Sequence, residues 1–244
     1  MSDLGLGRCI PPDWEHLSKY PLTAEHVEAL PAPAPVVIGI NWYTDFDSPE
    51  QDKDGHYWIG RSSDLGSIRG GHCVTLQPVT LQSGPAKDPT SWWTWYNQVS
   101  EGICVGEGGS RCMSLLNRRR YQPRWLYDAC KKIDPWPGQE GTAVRYAFDV
   151  LRNQGHVRAK PGERQGLTEG QYDGRTPNPG DGIAANRWAR SVDDVQRALG
   201  TPGREYAVII NSWGRDYPHY VRIPVDTLDR LRREDGEIGI VTDR

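Results

Sequence analysis

Helical periodicity in this chain is concentrated in its middle, between two blocks of short β-branched runs. An order of strands, then helices, then strands, with no internal repeat, belongs to the α+β class. Gly141 to Gly155 places Val144, Ala147, Phe148 and Leu151 at i, i+3, i+4 and i+7, which predicts a helix with one buried face and Gly155 as its C-cap. Cys104 to Asn117 and Pro123 to Lys132 read as two further helices. Gly106, Gly108 and Gly109 lower the propensity of the first and point to close packing of its opening turns against other backbone. On the N-terminal side, Val36 to Tyr43 is a buried strand, Asp45 to Gly60 a polar loop or hairpin, and His72 to Val79 a second strand introduced by Gly70-Gly71. A loop at Ser83 to Thr90 closes that block. On the C-terminal side, a polar Gly/Pro-rich stretch from Lys160 to Gly182 precedes Ser191-Val-Asp-Asp194, a capping-box start to a short helix ending near Gly200. Strands follow at Glu205 to Asn211, Tyr220 to Ile223 and Ile238 to Val241, with a helix over Val225 to Arg233. Residues 1–35, with a short helix at Thr23 to Leu30 and the extended Pro31-Ala-Pro-Ala-Pro, read as a leader that wraps or links.

The length of 244 residues suits one large domain or two small lobes. A balance of 29 Lys+Arg against 32 Asp+Glu, net −3, argues against a nucleic-acid partner. No apolar run reaches the roughly 18 residues of a membrane helix, and the first residues lack the basic and apolar regions of a signal peptide, so the expectation is a soluble chain without an export signal of its own. The 5 cysteines, Cys9, Cys73, Cys104, Cys112 and Cys130, are odd in number and contain no C-x-x-C pair, which writes neither a zinc ribbon nor a complete disulfide framework. At least one thiol is expected, a bridge such as Cys9 to Cys130 stays open, and no cofactor or metal motif is present. A metal site at His72, Cys73, Cys104 and Cys112 fits no usual zinc spacing.

Thiol catalysis needs a nucleophile, a base, a group that orients the base, and donors for an oxyanion. Cys104 stands at the entry of the expected Cys104 to Asn117 helix, where unpaired N–H groups and the helix dipole favour a thiolate. Gln98, six residues earlier, is placed to offer its side-chain amide to the same oxygen as the Cys104 N–H. His72 sits at a strand entrance beside two glycines, and Asn211, in Ile209-Ile-Asn-Ser-Trp-Gly, ends an apolar strand where its carbonyl can fix an imidazole, with Trp213 shielding that bond from water. Each residue also has an ordinary structural reading: a small core thiol, a surface amide, a strand-end histidine, and a turn made by Asn-Ser-x-Gly.

Together, Gln98-x5-Cys104, Gly70-Gly-His72 before an apolar strand, and Asn211-Ser-Trp-Gly214 resemble the active-site motifs of the papain-like cysteine peptidases. Gly39-Ile-Asn-Trp-Tyr, Tyr121-Gln-Pro-Arg-Trp-Leu-Tyr and Glu140-Gly-Thr-Ala-Val-Arg are similar to stretches of the short papain-like proteins of actinobacterial phages, so the resemblance spans residues 36–244. It implies Cys104 as nucleophile, His72 as ion-pair partner and general acid, Asn211 as its orienter, and Gln98 with the Cys104 N–H as oxyanion hole. It also implies a two-lobe fold, with a helical lobe over about 91–200 and an antiparallel β lobe built from 36–90 and 201–244. Trp92-Trp-Thr-Trp-Tyr96 would line the groove between the lobes or belong to the core. Two departures stand out. The family order is Cys, His, Asn, whereas here His72 precedes Cys104, so the strands bearing His72 and Asn211 must pair without a connecting hairpin. Glu107 puts a carboxylate in the first helical turns, which opposes a thiolate if buried and is harmless if exposed.

The expected function is hydrolysis of peptide amide bonds in a peptide or protein substrate. One alternative is a phage structural module, with virion proteins as partners, that keeps the fold with little or no catalysis. Another is an amidase of related fold acting on cell-wall peptides.

Overall fold

Alternation along β1 (Val36–Tyr43) organises the molecule. Val36, Ile38, Ile40 and Trp42 enter one hydrophobic core and Val37 enters another on the opposite face of the sheet, so the strand is apolar at nearly every position. The coordinates are a computed structural model and describe residues 33–78, 96–160, 174–214 and 216–243. The expected leader helix at 23–30, the loop at 83–90, the tryptophans of the 92–96 run and Cys9 lie outside those residues.

β1 lies between β4 (Ile68–Leu76) and β8 (Glu237–Asp243) in an 8-stranded sheet. Its order is β2 (Glu50–Gln51), β3 (Tyr57–Trp58), β7 (Tyr220–Pro224), β6 (Tyr206–Ile210), β4, β1, β8 and β5 (Ala185–Trp188). All neighbouring strands run antiparallel except β3 with β7. On the Val37 side the core is completed by α1 (Cys104–Asn117), α2 (Pro123–Lys131) and α3 (Val144–Asn153), and on the other side by α4 (Val192–Leu199) and α5 (Val225–Arg233). The molecule is thus a mixed α and β fold with a largely antiparallel sheet. Among the described residues no helix is long and apolar enough to cross a membrane.

Local chemistry explains the elements. In α3 the side chains of Val144, Ala147, Phe148 and Leu151 are buried as their spacing requires, and Gly155 takes a φ of 79° just beyond the helix. Glu237 of β8 accepts the Val144 N–H at 2.8 Å, placing a carboxylate at the start of α3. Ser191 and Asp194 form the reciprocal capping box that opens α4, and Gly200 closes it at φ 70°.

Two expectations are corrected at the strands. β4 begins at Ile68 rather than His72, so Gly70 and Gly71 are inside the ladder, opposite Trp42 and Asn41. The glycines leave room for the Trp42 indole on its cross-strand position. The strand also ends at Leu76, ahead of Pro78, which has no N–H to donate. β5 was not expected: Ala-Asn-Arg-Trp carries no apolar alternation, and an edge strand whose four residues are half-buried needs none.

Candidate active site

β4 and β6 pair directly, Thr75 opposite Ile210 and Leu76 opposite Ile209, although 139 positions separate His72 from Asn211. The pairing expected without a hairpin is therefore made, and it brings the two residues together. His72 Nε2 lies 2.8 Å from Asn211 Oδ1. Asn211 Oδ1 also accepts the Ser212 N–H at 2.7 Å. A carbonyl oxygen can only accept, so Nε2 carries the proton of the neutral ring and the Nδ1 lone pair is left as a base. Nδ1 is buried and has no hydrogen-bond partner among the described residues.

Aromatic rings enclose this bond. Trp42 meets His72 edge-on at 4.7 Å between centroids, Trp213 lies 5.1 Å away, and Tyr217 packs against Trp213 at 4.9 Å. Trp213 holds the place its position in Asn-Ser-Trp-Gly suggested. Trp42 and Tyr217 were not anticipated as part of the wall, because neither stands near His72 in sequence; strand register brings Trp42 there, and the loop between β6 and β7 brings Tyr217. Burial pushes the Tyr217 hydroxyl far above the ordinary phenol range, so it stays a neutral donor, given to the Phe46 carbonyl at 2.9 Å.

Gln98 is tied to the same corner. Its N–H donates to Ser212 O, the Gly214 N–H donates to Tyr96 O, both at 2.9 Å, and Asn97 pairs with Trp213, so residues 96–98 run antiparallel to 212–214. Ser212 Oγ donates to Gln98 Oε1 at 2.9 Å while Gln98 Nε2 donates to Glu101 O at 3.2 Å. The carbonyl end of the amide is thus held by the residue after Asn211, and its N–H end faces the approach to α1. Ser212 is a positioning residue that the sequence reading did not single out.

Cys104 is the first residue of α1, and the preceding Ile103 provides no side-chain cap for the first-turn N–H groups. α1 is seated on β4 through Gly108 and on α2 through Gly106 and Gly109. A Cβ at Gly108 would lie 2.7 Å from Cys73 Sγ, one at Gly106 2.6 Å from the Pro123 carbonyl oxygen, and one at Gly109 2.7 Å from Leu126. Thr75 Oγ1 donates to Gly108 O at 2.9 Å. Cys104, one turn before Gly108, shares a buried cluster with Cys73, the neighbour of His72. Glu107 is fully buried, and Arg111, 2% exposed, lies one turn further along the same helix. Burial depresses the Arg111 guanidinium, which the Glu107 carboxylate works to keep protonated, and that buried carboxylate one turn from Cys104 opposes a thiolate.

The whole constellation is closed. Cys104 is 0% exposed, His72 and Gln98 1% and Asn211 5%. A substrate reaches the thiol only after surrounding groups move apart. Cys73, Cys104, Cys112 and Cys130 are all thiols, and burial raises that of Cys130 well above its ordinary value. Among the described residues no three His, Cys, Asp or Glu side chains gather closely enough to hold a metal ion.

A second buried histidine differs. His156 Nε2 lies 2.8 Å from Ser110 Oγ, its Nδ1 accepts the Val157 N–H at 2.8 Å, and its ring stacks on Tyr121 at 4.8 Å. Burial pushes its pKa down to about 3, and both ring nitrogens are occupied.

No protein-family model matches the chain, nor does any curated protein or solved structure.

Proposed function

We propose that this protein is a papain-like thiol hydrolase that cleaves amide bonds of peptides, with the two-lobe active-site arrangement of that family reached through a transposed strand order. The observation that carries the reading is the 2.8 Å bond from His72 Nε2 to Asn211 Oδ1, which leaves Nδ1 as a buried base in the corner where Gln98 and the start of α1 are also fastened. Cys104 Sγ gives its proton to His72 Nδ1 and attacks the substrate carbonyl carbon. The negative oxygen of the tetrahedral adduct takes hydrogen bonds from Gln98 Nε2 and the Cys104 N–H. The imidazolium then protonates the departing amine, leaving a thioester. Water adds to the thioester with His72 as base, releasing the acid and restoring the thiol. Asn211 holds the ring so that the same nitrogen serves each transfer.

The second reading, a phage structural module that keeps the fold with little or no catalysis, is favoured by one observation, the complete burial of the Cys104 side chain. A cell-wall amidase uses the same chemistry on a different peptide and is a choice of substrate within the first reading. The test is labelling by an epoxysuccinyl peptide with mass spectrometry to locate the adduct, on wild type and His72→Ala. Stoichiometric modification of Cys104 that disappears in His72→Ala is the expected result. Slow labelling spread over several thiols and unchanged by His72→Ala overturns the hydrolase reading in favour of the structural module.

A further inference from the structure

Cross-strand pairs share a sheet face, so Thr75, its partner Ile210, and Tyr220 opposite Ile210 all point to the side on which α1 sits, as do Val208 and its partner Arg222. Past the helix, on β6, β7 and β3, that face holds a cavity of about 470 Å³. The volume is in the range of ligand pockets. Among the described residues no Asp or Glu lines it; His56, Gln77, Tyr206, His219, Tyr220 and Arg222 supply polar atoms.

We propose that this cavity binds a carboxylate-bearing peptide segment, with Arg222 as the group that recognises the carboxylate. The Arg222 guanidinium carbon lies 4.4 Å from the Tyr206 ring centre and 5.5 Å from that of Trp58, and the two rings meet edge-on at 5.4 Å. Arg61 and Arg204 lie over the same two rings, at 5.4 Å from Trp58 and 5.2 Å from Tyr206. A guanidinium held against ring faces keeps its N–H donors in its own plane, the fork that matches both oxygens of a carboxylate. Elsewhere the half-buried arginines spend that fork internally: Arg124 on Glu101 and Asp128, Arg145 on Glu237, Arg232 on Asp229. Arg222 makes no ion pair among the described residues.

Beside Trp58, the Asp52 carboxylate is already committed. Asp52 Oδ2 accepts from Trp58 Nε1 at 2.7 Å, and its Oδ1 accepts the N–H groups of Asp54 and His56 at 2.9 Å, so it orients the indole that Arg222 packs against. At the other end, burial first and the Arg111 charge second push His219 down to about 2, which keeps its ring neutral and suited to a peptide amide. The half-buried Asp52 and exposed Asp54 of the adjoining turn, with the net charge of −3, disfavour a polyanion such as nucleic acid. The proposal rests on the cavity alone and stands whether or not the thiol is reactive.

The test is fluorescence anisotropy of a labelled, terminally blocked hexapeptide carrying one Glu in an Ala/Gly background, and of its Gln counterpart, on the full chain with Cys104→Ala so that cleavage does not consume the probe. The Glu peptide is expected to bind about tenfold tighter than the Gln peptide, the usual worth of a charge-assisted hydrogen bond. Arg222→Met should erase the difference. Arg222→Lys, which keeps the stem and charge but not the fork, should reduce it severalfold and serves if Arg222→Met does not fold. Equal affinity for the two peptides overturns the proposal, as does a preference that survives in Arg222→Lys undiminished. Displacement of the Glu peptide by oligo(dT) at lower concentration than by unlabelled Glu peptide overturns it in favour of a nucleic-acid site.

Discussion

Two of the buried imidazoles among the described residues, His72 and His156, have contrasting surroundings. His156 has each nitrogen engaged, Nε2 with Ser110 and Nδ1 with the Val157 N–H, and stacks on Tyr121. His72 has one nitrogen fixed by Asn211 and the other without a partner among the described residues, inside a wall of tryptophans. A Ser–His contact at 2.8 Å looks more like a catalytic pair than anything around His72. The comparison teaches that a short contact to a hydroxyl is no guide to reactivity: a base needs an available lone pair and a group that fixes which nitrogen offers it.

Exchanging each ring for an amide breaks the comparison most sharply. His72→Gln should lower the rate of Cys104 alkylation and of any peptide hydrolysis by about a thousandfold, the usual contribution of a positioned general base, with little change in unfolding midpoint. His156→Gln should do the reverse, leaving the alkylation rate within about twofold and costing about 2–4 kcal/mol in denaturant unfolding, from the lost stack and the imperfectly replaced hydrogen bonds. If both variants lose stability equally and neither changes thiol reactivity, the two histidines are of one structural kind. Asn211→Ala sharpens the distinction within the first site. It keeps the base but not its orientation, and a loss of about ten- to a hundredfold in hydrolysis is expected, as for other orienting hydrogen bonds.

The smallest effect is a pH dependence of folding. His156 is held neutral with a pKa near 3 in the folded protein, against about 6.5 in the unfolded chain. Its folded pKa is depressed, so its contribution is complete above pH 6.5 and declines as the pH falls from there toward 3. His219, pushed to about 2, behaves alike. Stability measured by thermal or urea unfolding between pH 6 and 5 should fall by about 1.4 kcal/mol per pH unit for each fully titrating histidine. His156→Gln should remove about half of that slope, and an unchanged slope would show that the ring is not kept neutral.

What was legible in the sequence divides along the same physical lines. Periodicity located β1, the three helices on one face, the capping box at Ser191 and the strands that carry His72 and Asn211, because each depends on residues close in sequence. The glycines of α1 were readable as contact points, though not that Cys73, Pro123 and Leu126 would be the groups contacted. The wall of Trp42 and Tyr217, the hold of Ser212 on Gln98 and the cavity at Arg222 were not readable, since all three are made by strand register and by chain segments far apart. β5 escaped for another reason: its pairing is made by backbone, and its side chains bear no pattern.

The order of the strands along the chain sets when the bond between His72 and Asn211 can form. In synthesis from the N-terminus, the imidazole comes first, the thiol next, and the Asn211 carbonyl that fixes the ring emerges 139 positions after His72. β6 must then insert between β4 and β7, the last of which is made later still. Loop closure over such a span is slow compared with helix formation, and long-range strand pairing delays it further. A nascent or truncated chain lacking residues beyond 210 therefore carries the imidazole without the carbonyl that fixes it. The bond that fixes the imidazole thus forms only after residue 211 has been made.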